Sequence, residues 1–340
     1  MGFLNDLSAR DAVSLGVSLT AAGVGAYMLF QSTDVFAQLL GGKKTQQLKK
    51  KKEHQMRMKQ VETLIMERGE RGTKDFRVHV LAKGADDTTV AELSLWHDVP
   101  LVAPQSKNSS GPSLFNFICE IPKCTRKKFE VATKEGATPI KQDEKKGVLR
   151  EFKKGDIFFN YGCFPRTWED PRHVSPDTGY PGDNDPLDVC EIGLRQCKTG
   201  EIRPVKVLGV LAMIDDDETD WKIVAIDAED RWAPELNDVD DVERLIPGTI
   251  SLIREWFRTY KIPDGNAPNK FALDERCMPA AYALKVISET HDAWSALVSS
   301  QRLDSGLHLP ADRTKLQHVD RDTKIVRTLS QSNLAQALSA

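Results

Sequence analysis

The chain has 340 residues, room for one large domain or two small ones. Hydrophobic residues make up 40% and charged residues 29%, as in a water-soluble globule, and the formal net charge of −3 argues against a dedicated nucleic-acid binder. The six cysteines form no C-x-x-C pair and the seven histidines no zinc pattern, which reads as reduced thiols in a cytosol-like compartment.

In chain order, Ala12–Phe30 comes first, an uncharged run of 19 residues, close to the roughly 20 that a membrane-spanning helix needs. Asp6, Arg10 and Asp11 precede it, and Lys43, Lys44 and Lys49 to Lys52 follow. The expectation is a transmembrane helix or membrane anchor with the chain that follows it on the cytosolic side. A buried helix or an organelle-targeting peptide is the alternative. The Met1-Gly2 start lacks the Ser/Thr at position 6 that myristoylation wants. The lysine run suits a solvated helix face or anionic lipid heads. Thr45–Arg71, free of Gly and Pro until Gly69, reads as a helical spacer.

Phe76–Leu81, Thr89–Trp96, Asn116–Ile121, Lys127–Ala132, Arg203–Ile214 and Trp221–Ile226 have the alternation and β-branched or aromatic content of strands. Many short strands at close spacing favour a barrel. Val239–Lys261 is helical but interrupted by Pro247-Gly248, and Pro279–Ser299 is a cleaner helix. The chain after Ser300 is polar and reads as a loose tail. The expected division is 1–72 hydrophobic segment and linker, 73–300 main globular domain and 301–340 tail.

The chemistry concentrates in Asp183-Asn184-Asp185-Pro186-Leu187-Asp188. In an extended segment Asp183 and Asp185 share a face, and Pro186 can turn Asp188 back toward it. A second acidic cluster, Asp215 to Asp220, follows at a turn between two strands. Mutually repelling carboxylates are tolerable with cations between them, and an all-oxygen set favours Mg²⁺ or Mn²⁺ over zinc. Each run taken alone also suits a solvated turn. A calcium EF-hand fails, because Asp188 or Asp220 stands where Gly is required. An aspartyl-nucleophile phosphatase fits poorly, because Tyr180-Pro181-Gly182 stands where an apolar strand should precede the first Asp. Lys128, Glu130, Arg150, Tyr161, Tyr260 and Lys261 each suit a surface charge or a half-buried tyrosine; taken together they offer the donors a phosphate needs and the acceptors its metals need.

With these residues in view the sequence resembles the soluble inorganic pyrophosphatases of the barrel-fold family, in their eukaryotic form. Asp183–Val189 fits that family's D-x-D-P-[apolar]-D-[apolar] motif. Phe164–Pro171, Glu218–Lys222, Leu236–Asp238, Glu255–Gly265 and Glu289–Asp292 match further stretches, and the likeness runs from about Phe76 to Leu297. The resemblance implies a mostly β fold with flanking helices around a five-stranded, OB-like closed β-barrel, behind a helical or hydrophobic N-terminal extension. It implies Mg-dependent hydrolysis of pyrophosphate to two phosphates, with Mn²⁺ as substitute. Asp183, Asp188, Asp215 and Asp220 fall on metal-ligand positions, and Glu130 and Glu120 on acidic positions facing further metals through water. Asp185 falls on the position that accepts a proton from the attacking water. Lys128, Arg150, Tyr161, Lys222, Tyr260 and Lys261 fall on phosphate-binding positions. Two departures stand out. Ile157 replaces an active-site tyrosine of the fungal cytosolic form, and Lys123-Cys124 replaces an Arg-Trp pair of its dimer contact, so a homodimer does not follow. A catalytically silent, membrane-tethered scaffold is the alternative function.

Overall fold

The structure is a computed structural model that describes residues 63–83, 90–104, 112–300 and 305–310. Ala12–Phe30, the lysine run and most of the polar tail lie outside the described residues.

The first sheet carries β1 (Thr63–Arg68), β2 (Arg77–Lys83), β3 (Val90–Leu93), β5 (Phe129–Val131) and β6 (Ile140–Gln142). Over Thr63–Arg68, β1 corrects the helical spacer expected for Thr45–Arg71; the part before Thr63 lies outside the described residues. Leu64 and Met66 alternate inward, and β1 pairs antiparallel with β2 from Thr63↔Ala82 to Arg68↔Arg77. Gly69, at φ 79°, starts the return, and a Cβ there would lie 2.6 Å from the Asp75 carbonyl oxygen. The helix-forming Leu, Met and Glu of this stretch yield to the partner strand, because cross-strand pairing outweighs the few tenths of a kcal/mol that propensity offers.

The second sheet contains β4 (Phe115–Ile121), β9 (Asn160–Cys163), β10 (Asp188–Glu191), β11 (Ile202–Asp215) and β12 (Glu218–Asp227), with β13 (Lys270–Phe271) and β14 (Met278–Pro279) beside β11. Its order β12-β10-β9-β4-β11 returns on itself, because β11 also pairs with β12. β10 and β12 run parallel, with Asp188 opposite Lys222, and the other neighbours are antiparallel. A small hairpin of β7 (Glu144–Lys145) and β8 (Val148–Leu149) lies apart. Strand order β4-β9 demands close approach. A Cβ on Gly162 would stand 1.9 Å from the Ile118 carbonyl oxygen. Gly162→Ala is therefore expected to cost about 3 kcal/mol, the upper end of overpacking, read as a lower urea midpoint.

Helix α1 (Val239–Leu245) and α2 (Thr249–Thr259) are separated at Pro247-Gly248, where Gly248 takes φ 83° ahead of α2. Asp238 Oδ1 accepts from Val239 N at 2.6 Å and Ala280 N at 3.2 Å, serving the starts of both α1 and α3 (Ala280–Ser300). α3 buries Ala283, Val286 and Ile287 against Val207, Val210 and Ala212 of β11. Further along, Trp294 and Leu297 meet Val78 and Val80 of β2. The loose tail expected after Ser300 is corrected over 305–310. Leu307 and Leu309 pack on the same core, and His308 N–H donates to the Thr133 carbonyl at 2.8 Å.

Ile157 is 1% exposed and packs among Phe152, Phe159 and Phe257 rather than opening on a cavity. Lys123 Nζ donates within the chain to the Gly193 carbonyl. No helix among the described residues is long and apolar enough to cross a membrane.

Candidate active site

Asp183 to Asp188 is a turn, not the extended segment expected. Asn184 takes φ 73°, and the Asp185 N–H donates to Asp183 Oδ1 at 3.0 Å, an Asx-type turn. Trp168 Nε1 donates to Asn184 Oδ1 at 3.1 Å and holds the tip in place. Asp188 then enters β10. The second acidic cluster closes the β11–β12 hairpin. Asp216 and Asp217 are its two central residues, both at positive φ (49° and 66°), as a two-residue primed turn requires. Asp215 ends β11, while Asp220 and Lys222 lie two apart on one face of β12. The Gly182–Thr219 bridge, with Thr219 N donating to the Pro181 carbonyl at 2.6 Å, ties the two acidic segments together.

The other candidates arrive on separate elements. Glu120 sits at the irregularity in β4 between Cys119 and Ile121, and its Oε1 accepts from Val131 N at 2.6 Å. Glu130 lies on β5 with Lys128 just before it, Arg150 follows β8, and Tyr161 is on β9. Tyr260 caps α2, and Lys261 follows. All thirteen residues named in the sequence line one cavity of about 220 Å³.

That cavity also takes Asp216 and Glu218, so nine carboxyl groups face four cationic side chains. The imbalance decides what the site can hold: negative charge is in surplus, and added cations relieve it. In the structure the cations are already engaged with acids. Lys222, 2% exposed at its side chain, pairs with Asp188 and Asp220. Tyr161 OH donates to Asp188, and Lys222 Nζ to Tyr161 OH at 2.9 Å. Lys261 pairs with Asp215, and Tyr260 OH donates to Asp215 at 3.2 Å. Asp143 receives Lys128 Nζ at 2.7 Å and also the Arg150 guanidinium.

Burial and the neighbouring acids push the Asp183 and Glu120 carboxyls well above the usual range. Burial also raises Asp220 to about 7, against the pull of Lys222. Burial in the cleft, then Glu130, raise Asp185 to about 7, with Lys128 opposing. Asp185 nonetheless opens to solvent, as a group that meets water must. Burial works against the charge of Lys222, but Asp188 and Asp220 more than offset it and hold its ammonium firmly protonated.

The model of the family described as inorganic pyrophosphatase matches residues 117–295. The Chlamydomonas reinhardtii soluble inorganic pyrophosphatase 1, chloroplastic, is 48% identical over 241 residues, 71% of this chain and 81% of that one.

This chain belongs to the inorganic pyrophosphatase family.

The Caenorhabditis elegans inorganic pyrophosphatase 1 is also 48% identical, over 237 residues; the match takes in 68% of this chain and about half (53%) of that protein's length. A truncated Trypanosoma cruzi vacuolar soluble pyrophosphatase, solved in complex with PPi, superposes with a TM-score of 0.67 at 45% identity, over 70% of this chain and 92% of that one. The chain is an enzyme that hydrolyses inorganic pyrophosphate, and a silent scaffold finds no support. The family is metal dependent, and Glu169, Asp183 and Asp220 form an acidic group able to hold an ion. The transmembrane helix expected from the sequence is corrected: a pyrophosphatase relative at 48% identity is named a soluble protein, while Ala12–Phe30 itself lies outside the described residues. The cytosolic orientation derived from the flanking lysines loses its argument with it.

Sequence reasoning missed Asp143 and Glu169 in this pyrophosphatase. Glu169 stands inside a stretch matched to the family, Phe164–Pro171, which was the available signal. Asp143 had none: it is one acid in a mixed run, and only folding sets it between Lys128 and Arg150.

Proposed function

We propose that the reaction is Mg²⁺-dependent, with Mn²⁺ as substitute, and that Asp183, Asp188, Asp215 and Asp220 hold the metal while Glu120 and Glu130 face further ions through water. The donor set supports this: every ligand offered is a carboxylate oxygen, and their number exceeds the cations that face them. Bound there, the metal supplies positive charge against the diphosphate and makes water acidic enough to attack near neutral pH. Asp185 takes the proton of the attacking water, a role supported by its solvent access and raised pKa. Lys128, Arg150, Lys222 and Lys261, with the Tyr161 and Tyr260 hydroxyls, donate to the phosphate oxygens and spread their charge as the P–O bond breaks. The convergence of these acids and donors on one cavity carries the proposal.

We further read the self-returning pairing of β4, β9, β10, β11 and β12 as the five-stranded closed barrel. The catalytic domain then takes in β1 from Thr63 and also 305–310, because β1 and Leu307 and Leu309 belong to its packing. Its compartment is reducing; all six cysteines are free thiols.

The test is phosphate release from pyrophosphate by the full chain with Mg²⁺. Release no faster than an EDTA control overturns the proposal. A second measurement uses the crowded carboxyls. Asp185 and Asp220 hold protons up to about 7 in the fold, whereas their ordinary value is 3.8. The folded metal-free state therefore binds more protons between those limits, and its stability falls as pH rises through them. Melting in EDTA should drop from pH 5 to pH 8, and Mg²⁺ should raise Tm more at pH 8. An equal Mg²⁺ gain at both values contradicts the metal assignment.

A further inference from the structure

Glu169 touches both acidic segments at once. It is 3% exposed. Its N–H donates to the Asp185 carbonyl at 3.0 Å, and its own carbonyl accepts from Asn184 N at 2.9 Å, so its backbone is fastened to the Asp183–Asp188 turn. Gly182 presses on it so closely that a Cβ there would stand 2.4 Å from the Glu169 carbonyl carbon. On the other side, Oε1 accepts from Trp221 N at 3.1 Å, directly after Asp220.

The second carboxylate oxygen is left over. Oε2 is buried with no hydrogen-bond partner. Carboxylate oxygens of Glu169, Asp183 and Asp220 lie within 4.8 Å of one another. A strut for the Trp221 backbone needs one acceptor oxygen, and a glutamine would serve it equally. A buried, unpartnered carboxylate beside two others is costly unless a proton or a metal ion meets it. We propose that Glu169 is a ligand of the divalent cation held by Asp183 and Asp220, joining the two acidic segments on one ion. The inference rests on the reading of those aspartates as metal-holding. All three ligands are hard oxygens, the class that Mg²⁺ and Mn²⁺ take.

The test is Mn²⁺ titration of the full chain without substrate, followed by electron paramagnetic resonance of free Mn²⁺, for wild type, Glu169→Gln and Asp183→Asn. Glu169→Gln keeps the acceptor for Trp221 N and removes the charge. Expected is a loss of about 10–100-fold in affinity at the tightest site. The Mn²⁺-induced rise in Tm should shrink, while Tm in EDTA holds or rises as repulsion is relieved. Wild-type Mn²⁺ affinity in Glu169→Gln, with the site lost in Asp183→Asn, overturns the role of Glu169 and leaves the metal reading intact. Wild-type affinity in both variants overturns both. A lower Tm in EDTA with unchanged affinity makes Glu169 a strut and also overturns the proposal. Should Glu169→Gln fail to fold, Glu169→Asp, which withdraws the charge by one methylene, carries the same titration with the same expected weakening.

Discussion

Asp185→Asn should lower kcat by roughly 10²- to 10⁴-fold, the usual range for a positioned general base, while Mg²⁺ still binds. Asparagine keeps the size of the side chain and removes its basicity. The turn should survive, because it uses the Asp185 backbone and not its side chain: the Asp185 N–H donates to Asp183 Oδ1, and the Asp185 carbonyl accepts from Glu169 N. Steady-state kinetics beside a Mg²⁺ titration reads both effects. Turnover near that of the wild type would show that another group takes the proton.

Lys222→Met carries the second large effect. This ammonium lies buried over the rings of Phe257 and Tyr161, at 5.0 and 5.4 Å from their centroids, and neutralises Asp188 and Asp220 together. Methionine fills the volume and leaves two carboxylates without their partner. Removing one side of a buried ion pair costs about 3–5 kcal/mol. That loss should appear in urea unfolding with EDTA and shrink in excess Mg²⁺, which re-engages the same acids. Turnover should also fall by about 10²- to 10³-fold, as for loss of a donor to transition-state charge. An equal stability loss with and without Mg²⁺ would show that Lys222 and the metal do not share these aspartates.

The site is thus a lattice of internal ion pairs. Lys222 holds Asp188 and Asp220, Lys261 holds Asp215, and Asp143 holds Lys128 and Arg150. Under the proposed reading, a metal held by these acids and a diphosphate held by these cations would replace the internal pairs.

Much of this was legible in residue order. The alternation in Arg203–Ile214 and Trp221–Ile226 appears as the long β11–β12 hairpin, and Pro247-Gly248 separates α1 from α2 where expected. Short strands were not legible. Asn160–Cys163 and Asp188–Glu191 are too brief to show a period, and both are buried on both faces, so polarity does not alternate. Thr63–Arg68 looked helical because its residues favour helix in isolation, and only β2 beside it makes the extended form the better one.

By itself the sequence determined which groups were available: the acids at Asp183, Asp185, Asp188, Asp215 and Asp220, the donors scattered between Lys128 and Lys261, and the family to which they belong. Local chemistry suffices for that, because turn residues, prolines and alternating strands act over a few positions. The tertiary structure alone decided that Asp143 would sit between two cations, that Glu169 would bridge two acidic segments, and that Ile157 would turn into the core. Those outcomes depend on strand pairings and packing between residues far apart in the chain, which no local pattern encodes.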